Sequence, residues 1–273
     1  MLLRLFFGIS ILFIFISCSK DEPVYKINQK SNPYTLYKEA YDDFKVNDYF
    51  SASKKFSEAE INFKNINFAA KSAIMVCFSL YGINFYDESL ENIDRFIKLY
   101  PSDKNLIYAE YLKAIIYFEM MSDEKKDIEP VLKANEQIDI FIKKYPDSDY
   151  SKDLRFKKDL VQNQLAAKEL YISRYYISVQ KWIPAINRLK VIVEKYDETI
   201  FIEEALHRLV EIHYYLGLSE EAQKYATLLG YNYNSSKWFK QSYKLLNKNY
   251  EIKKILDKKN NDNFLKKIIK MIK

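Results

Sequence analysis

Glycine, proline, cysteine and histidine are scarce in this chain of 273 residues, with 4, 6, 2 and 2 copies. So few turn residues exclude a many-stranded β-sandwich or barrel, which needs a turn about every ten residues. They also leave no glycine-rich loop that would cradle a phosphate. Two cysteines and two histidines exclude a disulfide framework and most zinc sites.

Aromatic residues are abundant, with 24 tyrosines and 18 phenylalanines. The hydrophobic content of 48% and charged content of 29% exclude a disordered or collagen-like chain. Large rings at this density favour an array of packed helices.

The first 17 residues predict a lipoprotein signal peptide. Arg4 supplies a basic start, and the apolar run that follows it is too short to cross a bilayer comfortably. Ser17 and Cys18 resemble the end of a bacterial lipobox, so Cys18 is predicted to become the acylated first residue of the mature protein. Ser19, where an aspartate would resemble the inner-membrane retention signal, favours the outer membrane. The alternative is a membrane anchor helix.

Two polar segments flank the main body of the chain. Residues 18–33 hold Cys18 and a polar, proline-containing tether. Residues 246–273 form a lysine-rich tail in which isoleucine, leucine and phenylalanine alternate with the charges. This basic amphipathic tail favours a capping helix with a solvated charged face, and the alternative is contact with anionic lipid or an acidic partner. Despite the net charge of +6, nucleic acid is not expected as a partner of an exported protein.

Residues 34–245 carry a repeating helix-turn-helix pattern. Small residues recur where paired helices must approach closely, with large apolar residues between them. The small positions are Ala40, Ala52, Cys77, Ser89, Ala134, Ser173, Ala185 and Ala222. Asn47 and Asn84 mark turns between paired helices. The pattern resembles the tetratricopeptide repeat, which has about 34 residues per unit.

Five approximate repeats cover most of the chain. They are residues 34–67, 68–103, 104–148, 164–198 and 201–233. A charged insertion at residues 122–127 stretches the third repeat, and residues 149–162, without proline or glycine, are expected to join it helically to the fourth. Stacked helix pairs bury apolar faces that one pair cannot bury alone. The predicted fold is therefore all-α, a tetratricopeptide-repeat superhelix of about five helix-turn-helix repeats.

The sequence lacks the motifs typical of catalytic and metal sites. Glu204 and His207 have the Glu-x-x-His spacing of a di-iron ligand pair, but no second such motif precedes His213. His207 is instead expected on the repeat surface, paired with Glu203. Cys77 is expected to be a buried structural thiol. The chain is therefore predicted to have no catalytic residue, no metal and no cofactor.

Binding is the activity that this pattern predicts, because helical solenoids present a groove and an extended flank to peptides and other domains. Residues 168–176 hold the richest cluster of tyrosine and arginine, the residue types that often anchor interfaces. Leu170 and Ser173 are expected in the core, whereas Arg174 and Tyr175 or its neighbouring tyrosine are expected to face a partner.

Four strings of sequence carry a resemblance to a known family. They are LAAKELYISRYY at residues 165–176, WIPAINRL at 182–189, EALHRLVE at 204–211 and LGYNYNSSKW at 229–238. Together with Cys18 they resemble the BamD family, in particular its alphaproteobacterial form. That family comprises the tetratricopeptide lipoproteins of the outer-membrane β-barrel assembly machinery. The resemblance covers about residues 18–245.

The resemblance implies a lipoprotein on the periplasmic face of the outer membrane, working with other assembly lipoproteins. It implies that the C-terminal repeats dock on the periplasmic domains of the insertase BamA. The candidate partner-binding residues are Arg174, Tyr175, Asn187, Arg188 and Glu211. It implies that the N-terminal repeats receive unfolded outer-membrane proteins through an aromatic-rich targeting strand. The candidate groove residues are Tyr37, Tyr41, Phe44, Tyr81 and Tyr86.

Two other functions stay open at this point. One is a periplasmic tetratricopeptide scaffold lipoprotein for cell division or peptidoglycan synthesis. The other is a lipoprotein enzyme, against which the scarcity of catalytic motifs argues.

Overall fold

The computed structural model describes residues 32–247, and this part of the chain is formed of eleven α-helices without a β-strand. The helices are α1 Pro33–Lys45, α2 Tyr49–Asn62, α3 Ile66–Gly82, α4 Tyr86–Leu99, α5 Leu106–Glu119, α6 Glu129–Lys144, α7 Asp149–Ser178, α8 Trp182–Lys195, α9 Ile202–Tyr215, α10 Ser219–Tyr233 and α11 Lys237–Leu246. The predicted all-α fold is confirmed. The predicted signal peptide, Cys18, residues 19–31 of the tether and residues 248–273 of the tail lie outside the described residues.

The described residues divide into two compact units, 32–79 and 80–247. In the first unit, α1 and α2 pack against each other as a pair. Phe56 of α2 is completely buried. The ring centroid of Phe44 in α1 lies 5.6 Å from that of Phe78, so α3 also contacts this pair.

One type of tight turn links α1 to α2, α3 to α4, α7 to α8 and α9 to α10. The middle residue of each three-residue link has a positive φ, namely Asn47 (63°), Asn84 (60°), Gln180 (60°) and Gly217 (76°). Its N–H donates to the carbonyl three residues earlier, and the next N–H donates to the carbonyl five residues before itself. Asparagine and glycine adopt this left-handed conformation at the least cost. The turns predicted at Asn47 and Asn84 are confirmed.

The small residues predicted at the helix contacts are all completely buried. They are Ala40, Ala52, Cys77, Ser89, Ala134, Ser173, Ala185 and Ala222. Small side chains let helix backbones approach closely, and larger apolar side chains fill the space around them at the density of a protein interior. The packing predicted from the repeat spacing is therefore confirmed.

The second unit holds two apolar cores that share one long helix. α7 runs for 30 residues without a break, so the helical join predicted at residues 149–162 is confirmed. Its first half supplies Leu154 and Val161 to a core with α5 and α6. Its second half supplies Leu170 and Ile177 to a core with α8 and α9.

α11 packs against α9 and α10 at the end of the described chain. Phe239 approaches Gly230 of α10 so closely that a Cβ at Gly230 would lie 2.7 Å from the ring. Trp238 and Phe239 also pack against buried residues of α9 and α10. The charged insertion predicted at residues 122–127 lies in the link between α5 and α6, as expected. None of the helices within residues 32–247 has the length and apolar content needed to cross a bilayer.

Candidate docking site

An alternating series of charged side chains, which we call the charge ladder, runs along one side of α9. Glu204, Arg208 and Glu211 follow at spacings of four and three residues and therefore share a helix face. Arg208 Nε lies 3.4 Å from Glu204 Oε1, and Arg208 Nη1 lies 2.6 Å from Glu211 Oε2. Burial opposes the charge of Arg208, but the two carboxylates outweigh it and raise the pKa of Arg208 above its ordinary value.

Arg174 of α7 extends the charge ladder to the surface. Its Nε and Nη2 donate to the two oxygens of Glu204 at 3.1 and 2.6 Å, the two-pronged geometry that suits a guanidinium and a carboxylate. The side chain of Arg174 is 53% exposed, which confirms the predicted exposure. Its Nη1 makes no hydrogen bond within residues 32–247, so one edge of the guanidinium is open to a partner.

His207 connects the other end of the charge ladder to α11. Its Nε2 lies 3.3 Å from Glu211 Oε1, and its Nδ1 lies 2.8 Å from Ser242 Oγ. The imidazole centroid lies 5.1 Å from the ring of Trp238, and His207 is buried. The predicted surface position and the predicted pairing with Glu203 are therefore wrong, because α11 covers this part of α9 and supplies a polar partner.

Glu211 lies inside the protein rather than facing a partner. Its side chain is only 4% exposed, and His207 and Arg208 each engage one of its oxygens. Burial alone would raise the pKa of Glu211, but the hydrogen bond and charge of His207, together with Arg208, lower it below its ordinary value. The expected exposure of Glu211 is therefore wrong, since its carboxylate is paired with His207 and Arg208 inside the protein.

A second arginine–carboxylate pair joins α8 to α7. Arg188 Nη1 lies 3.2 Å from both oxygens of Glu169, and the Arg188 side chain is 43% exposed. Asn187 beside it is exposed, and so is Tyr175 on α7. Four of the five predicted partner-binding residues thus lie at the surface of α7 and α8, and their contact with a partner stays a prediction.

Three of the predicted groove residues lie on α1, in the first unit. The exposed ring of Tyr41 stacks on Phe44 with the centroids 6.3 Å apart. Tyr37 is half-buried and packs edge-on against Phe56 at 5.2 Å, and this burial raises the pKa of Tyr37. Tyr41 therefore offers the most accessible ring of the three.

The other two groove candidates lie in the second unit. The ring centroid of Tyr81 lies 6.2 Å from that of Tyr86, whose hydroxyl donates to Asn84 Oδ1 at 3.0 Å. Tyr81 packs against the core of α5, α6 and α7, and burial raises its pKa. The five candidates thus form two clusters, one in each unit, and their role in receiving a substrate stays a prediction.

The remaining metal-ligating side chains have local partners in the fold. Cys77 is buried, as predicted, and its thiol donates to the Ala73 carbonyl at 3.3 Å. His213 is also buried, with Nδ1 2.7 Å from the Leu209 carbonyl. In the stretch from residue 32 to residue 247, no three histidine, cysteine, aspartate or glutamate side chains are grouped to hold a metal.

Four residues of this site were not predicted from the sequence, namely Glu169, Arg208, Trp238 and Ser242. A signal for Arg208 was present, because opposite charges three and four residues apart stabilise a helix. Ser242 gave no such signal, because it meets His207 across 35 residues of sequence.

Consecutive helix pairs joined by a repeated tight turn define a tetratricopeptide-type repeat protein, a class whose surfaces bind other proteins. A model of the family described as YfiO, outer membrane lipoprotein, matches residues 29–228. The chain belongs to this family, which confirms the resemblance to BamD.

Named relatives of the chain come from several bacteria. It is 36% identical over 214 residues to the outer membrane protein assembly factor BamD of Caulobacter vibrioides, covering 78% of this chain and 70% of that protein. It is 35% identical over 217 residues to BamD of Rickettsia prowazekii, covering 80% of this chain and 86% of that protein. It is 28% identical over 231 residues to BamD of Neisseria meningitidis serogroup B, covering 80% of this chain and 86% of that protein.

Proposed function

We propose that this chain is a lipoprotein subunit of the machinery that assembles β-barrel proteins in the outer membrane. The observation that carries the proposal is the family match over residues 29–228, with relatives named outer membrane protein assembly factor BamD at 36% and 35% identity. These relatives support assembly and not the alternative of a scaffold for cell division or peptidoglycan synthesis. They also favour action by binding over the rival of a lipoprotein enzyme.

Docking on the periplasmic domains of the insertase BamA is assigned to the second unit. The exposed residues Arg174, Tyr175 and Asn187 and the partly exposed Arg188 support this assignment, because tyrosine and arginine are common anchors of protein interfaces. Glu204 and Glu169 already orient the two arginines. Such preorganisation reduces the side-chain entropy lost on binding, and the two guanidinium groups suit an acidic partner surface.

Reception of unfolded outer-membrane proteins is assigned to the aromatic residues of α1. Tyr41 is exposed and stacked on Phe44, which suits contact with aromatic side chains of an extended strand. Lys45 Nζ lies 4.6 Å from the centroid of the Tyr41 ring and 3.5 Å from Asp42 Oδ1, so a positive charge that Asp42 partly balances stands beside this surface. A strand that is rich in aromatic residues and ends in a carboxylate fits both features.

Attachment at the periplasmic face of the outer membrane is assigned to acylated Cys18. The variant Cys18→Ala should lose acyl labelling and outer-membrane fractionation, because the thiol is the only group at that position able to form the thioether. Its melting temperature should equal that of the wild type, since Cys18 precedes the first described helix. Cys77→Ser is the control and should keep its acyl label. Normal labelling of Cys18→Ala would place the anchor elsewhere.

Affinity purification of the tagged protein from solubilised envelopes tests the assembly function. We expect recovery of a large β-barrel insertase together with other assembly lipoproteins. Recovery of division or peptidoglycan-synthesis proteins without the insertase would instead support the scaffold.

A further inference from the structure

Three aromatic rings of the first unit meet at the turn between α2 and α3. The ring centroid of Tyr34 lies 5.1 Å from that of Phe63 and 5.2 Å from that of Phe68. Phe63 and Phe68 stack with their centroids 5.4 Å apart. Tyr34 and Phe68 are nevertheless exposed, so this cluster is at the surface rather than in a core.

Two isoleucines that lie close to Phe63 and Phe68 in the sequence are more exposed still. Ile61, near the end of α2, is 82% exposed, and Ile66, the first residue of α3, is 65% exposed. Several large exposed apolar side chains at one turn mark a surface that contacts another molecule or a membrane. We call this surface the turn patch. It consists of Tyr34, Ile61, Phe63, Ile66 and Phe68.

The charges at the turn patch are positive. Lys64 is exposed between Phe63 and Asn65 and forms no ion pair within residues 32–247. Lys71 is also exposed on α3, with Nζ 5.2 Å from the Tyr37 ring centroid. Glu60 in α2 is also near in sequence, but it is buried and therefore adds no negative charge to the exposed surface. Exposed isoleucine, tyrosine and lysine together match a surface that lies in the interface of an anionic membrane.

The chain enters the first unit at this same surface. Tyr34 follows Asn32 and Pro33 at the start of α1, and Asn32 stands fourteen residues after Cys18. A tether of that length reaches at most about 50 Å. An acylated Cys18 would therefore keep the turn patch within about 50 Å of the lipid surface, near enough for the patch to reach it.

We infer that the turn patch rests in the phospholipid surface to which Cys18 is attached, with Ile61 and Ile66 among the acyl chains and Lys64 and Lys71 at the phosphates. This inference rests on the proposed lipid anchor. It gives the first unit a second membrane contact, and so a defined orientation on the membrane.

The test places a fluorophore in the turn patch of the full-length lipoprotein. Lys64→Cys, in a Cys77→Ser background, is labelled with the dye NBD and reconstituted into phosphatidylglycerol vesicles that contain nitroxide lipids. We expect a blue-shifted emission and strong quenching by shallow nitroxides. Lys104→Cys, in a turn between Asp103 and Asn105, is the labelled control and should keep the emission of a dye in water.

A matched pair of variants tests whether the isoleucines make the contact. Ile61→Ser combined with Ile66→Ser should reduce quenching at position 64 at least about twofold, because the apolar insertion is lost. Ile183→Ser combined with Ile200→Ser changes two residues that are 72% and 80% exposed in the second unit, and it should leave quenching unchanged.

Each of the other outcomes overturns the inference. Protein that floats with vesicles while the dye at position 64 stays unquenched retains the anchor but has no contact at the turn patch. A dye that is already blue-shifted before vesicles are added shows that a second copy or another segment covers the patch. If the protein does not float with the vesicles, both the proposed lipid anchor and the inferred contact at the turn patch are refuted.

Discussion

Replacing Glu211 by glutamine is expected to lower the free energy of unfolding by about 3 kcal/mol at neutral pH. The substitution keeps the side-chain shape but removes the charge that His207 and Arg208 share inside the protein. For a domain of this size, the melting temperature should fall by roughly 6–12 °C, which calorimetry measures. Glu194→Gln, at an exposed position of α8, is the control and should leave the melting temperature unchanged. Equal melting of all three proteins would show that the charge ladder does not stabilise the fold.

The effect of Glu211→Gln should also depend on pH. The pKa of Glu211 is lower in the folded protein than its ordinary value, which is about 4.3 in an unfolded chain. Its stabilisation is therefore present above that pH and is lost as the pH falls through the folded-state pKa. The difference in unfolding free energy between wild type and Glu211→Gln should shrink below about pH 4.3. A difference that persists undiminished to strongly acidic pH would contradict this assignment.

Replacing Arg188 by glutamate is expected to weaken binding to the periplasmic domains of the insertase at least about tenfold, or about 1.4 kcal/mol. The change reverses a partly exposed charge, and a reversed charge at an interface repels the complementary group of the partner. A binding titration measures the loss. Arg95→Glu, in α4, is the control and should leave the affinity unchanged. An unchanged affinity for Arg188→Glu, or an equal loss in both variants, would place the docking surface elsewhere.

Exchanging the charges of Arg188 and Glu169 distinguishes a role of Arg188 in folding from a role in binding the partner. Arg188→Glu also sets a like charge against Glu169, which pairs with Arg188 in the wild type at 3.2 Å. The double variant Arg188→Glu, Glu169→Arg should restore this pair, and with it the melting temperature, without restoring the binding. If binding returns as well, Arg188 acts by holding α8 against α7 and does not touch the partner.

The helix pairs were predictable because their determinants are local. Small residues at helical spacing, such as Ala52 and Ala185, had to meet a partner helix, and both are completely buried. The asparagines at positions 47 and 84 indicated a positive φ, because asparagine tolerates the left-handed conformation. The turn at Gln180 has the same geometry, but glutamine rarely adopts it, so its residue type gave no signal.

The charge ladder was less predictable because its contacts join distant parts of the sequence. Arg174 meets Glu204 across 30 residues, and His207 meets Ser242 across 35. A glutamate on an amphipathic helix is usually solvated, so Glu211 gave no sign of burial. Its partner His207 is in turn held by Ser242 of α11, whose packing over α9 the repeat pattern does not encode.

The unbroken course of α7 determines how the second unit can move. In a repeat array whose pairs touch only their neighbours, one end can unravel while the rest stays folded. α7 is about 45 Å long and belongs to two cores at once, one with α5 and α6 and the other with α8 and α9. Separating these cores would require the helix to bend near Leu165, where no proline or glycine weakens it. We therefore expect that a displacement of α8, which Arg188 joins to Glu169 of α7, moves α5 and α6 with it.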